Sequence, residues 1–293
     1  MLFDTHMHAD YSCDAEMTLK EARVAAKAAG LGMILTEHWD RDYPTNPESF
    51  IFDINDYFKK NAPYRSDTVL LGIEMGLQPH TIEDDRIVAK SHPFDEIVGS
   101  MHCYRGLDMY ERTTYDGVTK DQAVGYYLED SLKCLEQDPN FDTYGHIDYI
   151  CRYWPYEDKN LHYSEHADLW DEVMKHLIRL DKSIEINTRR LAVPGAVESL
   201  TELYTRYAEL GGKYVTLGSD AHVAKAVGMH FDVAQKIAET AGLTIVYYKK
   251  DSASCRNKGK AVKEISFTAF SLSKNRKMGF LWNAFAAKNR VLL

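Results

Sequence analysis

The stretch ESLTELYTRYAELGGKYVTLGSDAH, residues 198–222, contains one complete unit of helix and strand. Its first part has apolar residues at helical spacing and ends on two glycines, and glycine commonly follows the last turn of a helix. Its second part is an apolar run, which is typical of a strand buried in a parallel sheet. That run stops at Asp220 and His222. The stretch therefore predicts a helix that leads into a buried strand with metal-binding groups at its carboxyl end.

The same design recurs along the chain. Six other short apolar runs carry His, Asp or Glu at or near their ends: FDTHMH (3–8), MILTEH (33–38), LLGIE (70–74), IVGSMH (97–102), FDTYGHID (141–148) and SIEIN (183–187). The carboxyl ends of barrel strands meet at one mouth, whereas an open doubly wound sheet concentrates its site at one switch point. We therefore predict an α/β fold, a distorted (β/α)7 TIM-like barrel with its site at that mouth.

Helices are predicted between these strands. Thr18 and Glu21 have the spacing of a capping box, and Gly30 stands where a helix beginning there would end. Residues 119–138 and 163–181 have the pattern of two longer amphipathic helices. Alternating strands and helices favour repeated βα units and a parallel sheet.

The end of the chain differs from the rest. LTIVYY, residues 243–248, is the last strand-like segment, and residues 251–293 hold nine Lys or Arg against two acidic residues. We predict a barrel domain over residues 1–250 and a basic C-terminal extension over residues 251–293. We expect a chain truncated at Lys250 to stay folded and active. The alternative is that the extension docks on the acidic body or on a partner.

Composition limits the class of protein. The net charge of −9, without a basic stripe in the body, argues against nucleic acid as a partner. Five cysteines without CxxC spacing predict reduced thiols. The chain shows no export signal and no apolar run long enough to cross a membrane. We therefore expect a cytoplasmic protein, a monomer or a homodimer, with no membrane partner.

Individual candidate residues allow two interpretations each. His6 and His8 lie two apart, so that both side chains leave one face of a strand, and Asp220 and His222 repeat this spacing. Glu74 ends an apolar strand, where an unpaired carboxylate is strongly penalised. Glu74 could form a buried salt bridge instead, and a lone histidine is more often an ordinary core or surface residue than a ligand.

Taken together, the candidates favour metal binding, because several independent strand ends converge on one mouth. Nine candidate groups, imidazoles and three carboxylates, are more ligands than one ion accepts, which predicts two or three divalent ions. Ligation by both nitrogen and oxygen suits Zn, Fe or Mn. The candidate ligands are His6, His8, Asp14, His38, Glu74, His102, His146, Asp220 and His222.

Arginines follow two of the strand ends. Arg152 comes after GHIDYIC, and Arg189 and Arg190 come after SIEIN. Arginine beside a cluster of cations is expected where the substrate is an anion held bidentately. We predict that Arg152 and Arg189 bind substrate; the alternative is that they are ordinary surface arginines of the loops.

The motifs HMH, TEH, GIE, GSMH, GHID and SDAH, in this order, resemble those of the polymerase and histidinol phosphatase (PHP) superfamily. FDEIVGSMH, GHIDYICRY and EINT are most similar to histidinol-phosphatases of the monofunctional PHP type. The resemblance spans roughly residues 1–250 and implies the PHP fold with a trinuclear site. Amidohydrolases also begin with HxH, but they lack a bridging Glu on the third strand and a DxH pair on the last.

Carried over by residue, the resemblance implies three ligand sets. They are His6, His8, Glu74 and Asp220 for one ion; bridging Glu74, His102 and His146 for the second; and Asp14, His38 and His222 for the third. The family often has His where Asp14 stands, which leaves the metal preference of the third site open.

The resemblance implies a metal-dependent phosphatase of histidine biosynthesis, which hydrolyses L-histidinol phosphate to L-histidinol and phosphate. Its partner is then a small anionic phosphate ester. Glu74, Asp14 and His222 are the candidate catalytic residues, with Asp14, His222 or a water bound to metal as the source of the leaving-group proton. Two alternatives stay open: a PHP phosphoesterase for another small ester, such as a nucleotide or sugar phosphate, and a non-catalytic metal-binding module.

Overall fold

A computed structural model of the protein describes residues 1–250 and 261–265. Nine strands of these residues form one sheet, and a separate hairpin pairs Cys103–Tyr104 with Leu107–Asp108. The strands of the sheet are β1 (Phe3–Asp4), β2 (Gly32–Trp39), β3 (Val69–Gly76), β4 (Ile97–Ser100), β5 (Thr143–Tyr144), β6 (Ser183–Asn187), β7 (Tyr214–Gly218), β8 (Thr244–Lys249) and β9 (Ala261–Glu264).

Seven α-helices of the described residues connect these strands. They are α1 (Leu19–Ala29), α2 (Ile54–Asn61), α3 (Ile82–Ser91), α4 (Lys120–Glu136), α5 (Ala167–Arg179), α6 (Ala196–Glu209) and α7 (Phe231–Ala241). The two longer predicted helices are α4 and α5; α5 begins later than expected because the residues Tyr163–Glu165 form a separate 3-10 turn. None of the described helices is long and apolar enough to cross a membrane.

The sheet curls far enough to bring its first and seventh strands together. Strands β1 to β8 are parallel and neighbour one another in chain order, and β9 is antiparallel to β8. Beyond the ends of β1 and β7, Met7 and Ala221 form a parallel bridge, and the His8 amide donates to the Ala221 carbonyl at 2.9 Å. The carboxyl ends of β1 to β7 therefore surround one mouth, which confirms the distorted TIM-like architecture.

Local signals place the first helix as expected. The Thr18 hydroxyl accepts from the Glu21 amide, the Glu21 carboxylate accepts from the Thr18 amide, and Gly30 has a φ of 72°. The buried face of α1 includes Ala22 and Ala26, whose small side chains let the helix lie close to the sheet. The four cysteines among the described residues are free.

The expectation that LTIVYY, residues 243–248, is the last strand-like segment of the chain is wrong. Four residues of β9 pair with β8, from Lys249 opposite Ala261 to Val246 opposite Glu264, and the Ile265 amide donates to the Ile245 carbonyl at 3.0 Å. The segment Ala261–Glu264 has no clear strand pattern of its own, and only its pairing with β8 identifies it as a strand. The rest of the predicted extension lies outside the described residues, and the division at residue 250 stays a prediction.

Two truncations should therefore behave differently. Deleting residues 266–293 is expected to leave the unfolding temperature unchanged, whereas truncation after Lys250 also removes β9 and should lower that temperature by roughly 4–8 °C, equivalent to about 2 kcal/mol. Both proteins should stay active, because every candidate ligand precedes residue 223. Thermal melting of the full chain and both truncations checks this. A large destabilisation by the shorter deletion would show that residues 266–293 dock on the barrel.

Candidate metal centre and active site

Glu74, on β3, lies at the centre of the mouth. Its carboxylate is fully buried, with three imidazoles near Oε1 and two near Oε2. Oε1 lies 2.8 Å from His146 Nε2, 3.2 Å from His6 Nε2 and 3.3 Å from His102 Nε2; Oε2 lies 2.8 Å from His38 Nδ1 and 3.5 Å from His8 Nε2. Each oxygen thus faces its own group of nitrogens, an arrangement suited to a bridging carboxylate.

Asp220 closes one side of this group. Its Oδ1 lies 3.3 Å from His8 Nε2 and 3.9 Å from His6 Nε2. The residue lies two positions after the end of β7 and has a φ of 52°, a left-handed conformation that is uncommon for residues other than glycine. Its amide donates to the His6 carbonyl at 2.8 Å. The backbone contact between the first and seventh strand ends therefore fixes the position of this carboxylate beside the two histidines of the HMH motif.

The remaining candidates lie on the solvent side. His38 Nε2 and His222 Nε2 are 3.4 Å apart, and Asp14 Oδ2 lies 3.2 Å from His222 Nε2 and 3.5 Å from His38 Nε2. The Asp14 side chain is 43% exposed, unlike those of the other eight residues. The structure thus brings all nine sequence-predicted candidates together, and we call these nine residues the mouth cluster.

The mouth cluster has the donor chemistry of a site for divalent metal ions. His6 Nε2, His8 Nε2 and Glu74 Oε2 are buried beside oppositely charged groups of the cluster, but none of the three makes a hydrogen bond of regular geometry within the described chain, as expected of atoms arranged to bind metal. Four overlapping triads have ligand atoms within 4.8 Å of one another: His6–His8–Glu74, His6–His146–Asp220, His38–Glu74–His102 and His8–His38–His222. Because the triads overlap, the predicted division of ligands among individual ions stays a prediction.

The environment of the cluster favours the ligand forms of Glu74 and His8. Burial by itself would raise the pKa of Glu74, but His6, His102 and His38 lower that pKa well below its usual range, so the carboxylate is ionised. Burial, reinforced by His38 and His222, lowers the pKa of His8. His8 is therefore a neutral imidazole, the form that binds metal.

Two further carboxylates touch the cluster and were missed in the sequence. Glu185 Oε1 lies 2.8 Å from His6 Nδ1, and Asp40 Oδ1 lies 2.6 Å from His102 Nδ1. Glu185 had the same signal as Glu74, a carboxylate within an apolar strand. Asp40 had none, because acidic residues just after strands are common in loops.

The arginines differ in their placement. Arg152 is 6% exposed; its Nη1 lies 2.6 Å from Asp220 Oδ2, and its Nη2 donates to Asn187 Oδ1 at 3.2 Å. Arg189 is 37% exposed, with Nη1 3.2 Å from His222 Nδ1. Arg190 is buried and pairs with Asp148 at 2.7 Å, so it stabilises the loops instead of facing the cluster. The structure therefore places Arg152 and Arg189, but not Arg190, at the edge of the mouth.

The environment beside the cluster is partly aromatic. A small cavity of about 40 Å³ is lined by Asp14, His38, Asp40, Tyr43, Phe50, His102 and Tyr149. The Tyr149 ring lies 4.9 Å from that of His102 and 5.0 Å from that of His146. The mouth thus joins a buried polar centre to an apolar wall.

Comparison with known proteins agrees with this geometry. Residues 4–189 match the model of the PHP domain, and the chain belongs to the PHP domain family. It is 42% identical over 250 residues to the probable histidinol-phosphatase of Clostridium acetobutylicum, covering 85% of this chain and 98% of that protein. It is 30% identical over 246 residues to the histidinol-phosphatase of Lactococcus lactis, covering 82% of this chain and 91% of that protein.

A solved structure shares the fold. It is that of histidinol phosphate phosphatase from Lactococcus lactis, complexed with zinc, L-histidinol and phosphate. The TM-score is 0.79 at 29% sequence identity, and the match covers 85% of this chain and 97% of that chain. The family assignment predicted from the ordered motifs is thus confirmed.

Proposed function

We propose that this protein is a metal-dependent phosphatase that hydrolyses L-histidinol phosphate to L-histidinol and phosphate. The observation that carries the proposal is the Glu74 carboxylate, buried among five imidazoles, with Arg152 and Arg189 at the edge of the same mouth. Similarity to two histidinol-phosphatases, over more than four fifths of this chain, supports the choice of substrate.

The mouth cluster would hold two or three divalent ions, Zn, Fe or Mn, with Glu74 as the bridging ligand. When bound, such ions supply positive charge for phosphoryl oxygens and acidify water near neutral pH. Zinc in the Lactococcus lactis structure supports this donor set as one for divalent metals. Only Asp14 among the nine is substantially open to solvent, so the outermost position is the one most accessible to substrate.

Arg152 and Arg189 would bind the phosphoryl group. A guanidinium offers several N–H donors in a planar fork, which matches phosphate oxygens. Arg152 now contacts Asp220 and Asn187, so these acceptors hold it in place before substrate arrives. Its charge would offset the negative charge that spreads over the phosphoryl oxygens in the transition state.

With two ions bound, His222 is free to supply the proton to the leaving alkoxide, and the Asp14 carboxylate is the partner that orients its ring. Their side chains lie 3.2 Å apart at the solvent side, where the alcohol part of an ester with a buried phosphoryl group would lie. A general acid of this kind contributes typically about 10²–10⁴-fold in rate.

The remaining parts of the proposal concern partners and place. The proposed partner is a small anionic ester, because the positive charges at the mouth would be two arginines and bound metal. The net charge of the chain is −9, and nucleic acid is not among the proposed partners. We place the enzyme in histidine biosynthesis, in line with the histidinol-phosphatases that it resembles, and we propose that it is a cytoplasmic monomer or homodimer.

A panel of phosphate monoesters tests the proposal. Protein reconstituted with Mn, Fe or Zn should hydrolyse L-histidinol phosphate with a kcat/KM at least about 100-fold above those for nucleoside and sugar monophosphates. Elemental analysis should give two or three metal ions per chain, and a chelator should abolish the activity. If kcat/KM is higher for a nucleotide or sugar phosphate, that ester and not L-histidinol phosphate is the substrate. Fewer than one ion per chain would contradict the multinuclear site.

A further inference from the structure

Two buried carboxylates outside the mouth cluster each hold one of its histidines. Glu185 contacts His6 Nδ1 at 2.8 Å, and Asp40 contacts His102 Nδ1 at 2.6 Å. In both histidines the other ring nitrogen, Nε2, faces Glu74, at 3.2 and 3.3 Å. A carboxylate at one ring nitrogen fixes the tautomer and the ring plane, and leaves the other nitrogen as the metal ligand.

Both carboxylates occupy space that a neighbouring glycine leaves open. A Cβ on Gly218, in β7, would overlap Glu185 Oε1 and crowd the His6 Cβ. A Cβ on Gly76, at the end of β3, would overlap Asp40 Oδ1. The barrel wall is therefore shaped to admit each carboxylate beside its histidine, at two separate places around the mouth.

Glu185 makes further contacts that Asp40 does not. Its Oε2 accepts from the His146 amide at 2.7 Å and from Asn187 Nδ2 at 3.1 Å. Asn187 Oδ1 in turn accepts from Arg152 Nη2 at 3.2 Å and from the Arg189 amide at 3.1 Å. A continuous hydrogen-bond chain thus runs from His6, through Glu185 and Asn187, to Arg152.

We propose that Glu185 and Asp40 are positioning residues of the metal centre, and that Glu185, through Asn187, also positions Arg152 for the phosphoryl group. Asp40 acts on His102, and its other oxygen lies 3.8 Å from His38 Nδ1, within the same cluster. The inference about the metal centre depends only on the contacts of Glu185 and Asp40 with histidines of the mouth cluster. The inference about Arg152 rests on the proposed function, because its ligand would be the phosphoryl group of the substrate.

Cobalt binding tests the metal part. The full-length protein, freed of metal, is titrated with Co²⁺ against a chromophoric chelator, and the visible d–d spectrum of the bound ion is recorded. Glu185→Gln and Asp40→Asn should each weaken Co²⁺ binding about 10–100-fold and change the spectrum. Glu96→Gln is the matched control, since Glu96 is also buried but precedes β4, at the opposite end from His102. Wild-type affinity and spectrum in Glu185→Gln and Asp40→Asn would overturn the inference.

Phosphate binding tests the link to Arg152. Inorganic phosphate should bind the Co²⁺-loaded Glu185→Gln and Asn187→Ala proteins about 10-fold more weakly than wild type. Asp40→Asn should bind phosphate normally, and Asn187→Ala should bind Co²⁺ normally. Equal loss of phosphate affinity in Asp40→Asn and Asn187→Ala would overturn the link. If Glu185→Gln does not fold, Asp40→Asn and Asn187→Ala still decide the two parts. A protein that cleaves no phosphate ester but shows the cobalt effects would contradict the proposed function alone.

Discussion

Glu74→Gln should lower kcat/KM by at least about 10³-fold, equivalent to about 4 kcal/mol of transition-state stabilisation. Glutamine keeps the size of the side chain but removes the charge to which five imidazoles are directed. It also replaces one carboxylate oxygen with an amide nitrogen, which does not bind metal. Bound metal measured by elemental analysis should fall together with activity. Asp220→Asn should act in the same direction, because Asp220 Oδ1 faces His6 and His8.

The fold should survive the loss of Glu74. The Glu74 charge raises the pKa values of His6 and His38, which burial by itself would lower. When that charge is removed, burial favours the neutral imidazoles, and His6 still faces Glu185 and Asp220 while His38 still faces Asp14, so no uncompensated cations stay in the core. The circular dichroism spectrum of metal-free Glu74→Gln should match that of the metal-free wild type. Glu136→Gln, at the exposed end of α4, is the control for charge alone. Full metal content in Glu74→Gln would contradict the bridging role.

Arg152→Ala should lower kcat/KM by about 10²–10³-fold, equivalent to about 3–4 kcal/mol, with little loss of bound metal. Arg152 is the more buried of the two arginines at the mouth, and a charged hydrogen bond is stronger in such surroundings. Removing it also frees Asp220 Oδ2 from an ion pair at 2.6 Å. Asp220 should therefore stay available to metal, and the substitution should weaken the interaction with the substrate and not the binding of metal.

Arg189→Ala should lower kcat/KM less than Arg152→Ala does. Arg189 is more than one third exposed, so its charge is screened by water. Arg179→Ala, exposed at the end of α5, controls for the loss of a surface charge and should leave kinetics unchanged. Steady-state kinetics together with metal analysis separate the two effects. Wild-type kinetics in Arg152→Ala would remove this residue from the substrate site and leave Arg189 as the candidate.

Much of the fold could be predicted because its determinants are local. The capping box at Thr18 and Glu21 and the glycine at residue 30 are read from neighbouring residues. Apolar runs of strand length, separated by helical patterns, predict a parallel sheet in chain order, and that is the order found. Strand β9 was not predicted, because a stretch without a strand pattern separates it from β8, the strand with which it pairs.

The candidate site divides in the same way. The sequence by itself determined which residues lie at the mouth, because the carboxyl ends of parallel barrel strands converge whatever the details of their packing. Only the tertiary structure decided what each residue touches: that Glu74 faces five imidazoles, that Arg152 and not Arg190 turns toward the cluster, and that Glu185 and Asp40 lie behind His6 and His102. Such contacts depend on the curl of the sheet and on the space at Gly76 and Gly218. Those features arise between strands that are distant along the chain, where periodicity and local spacing carry no information.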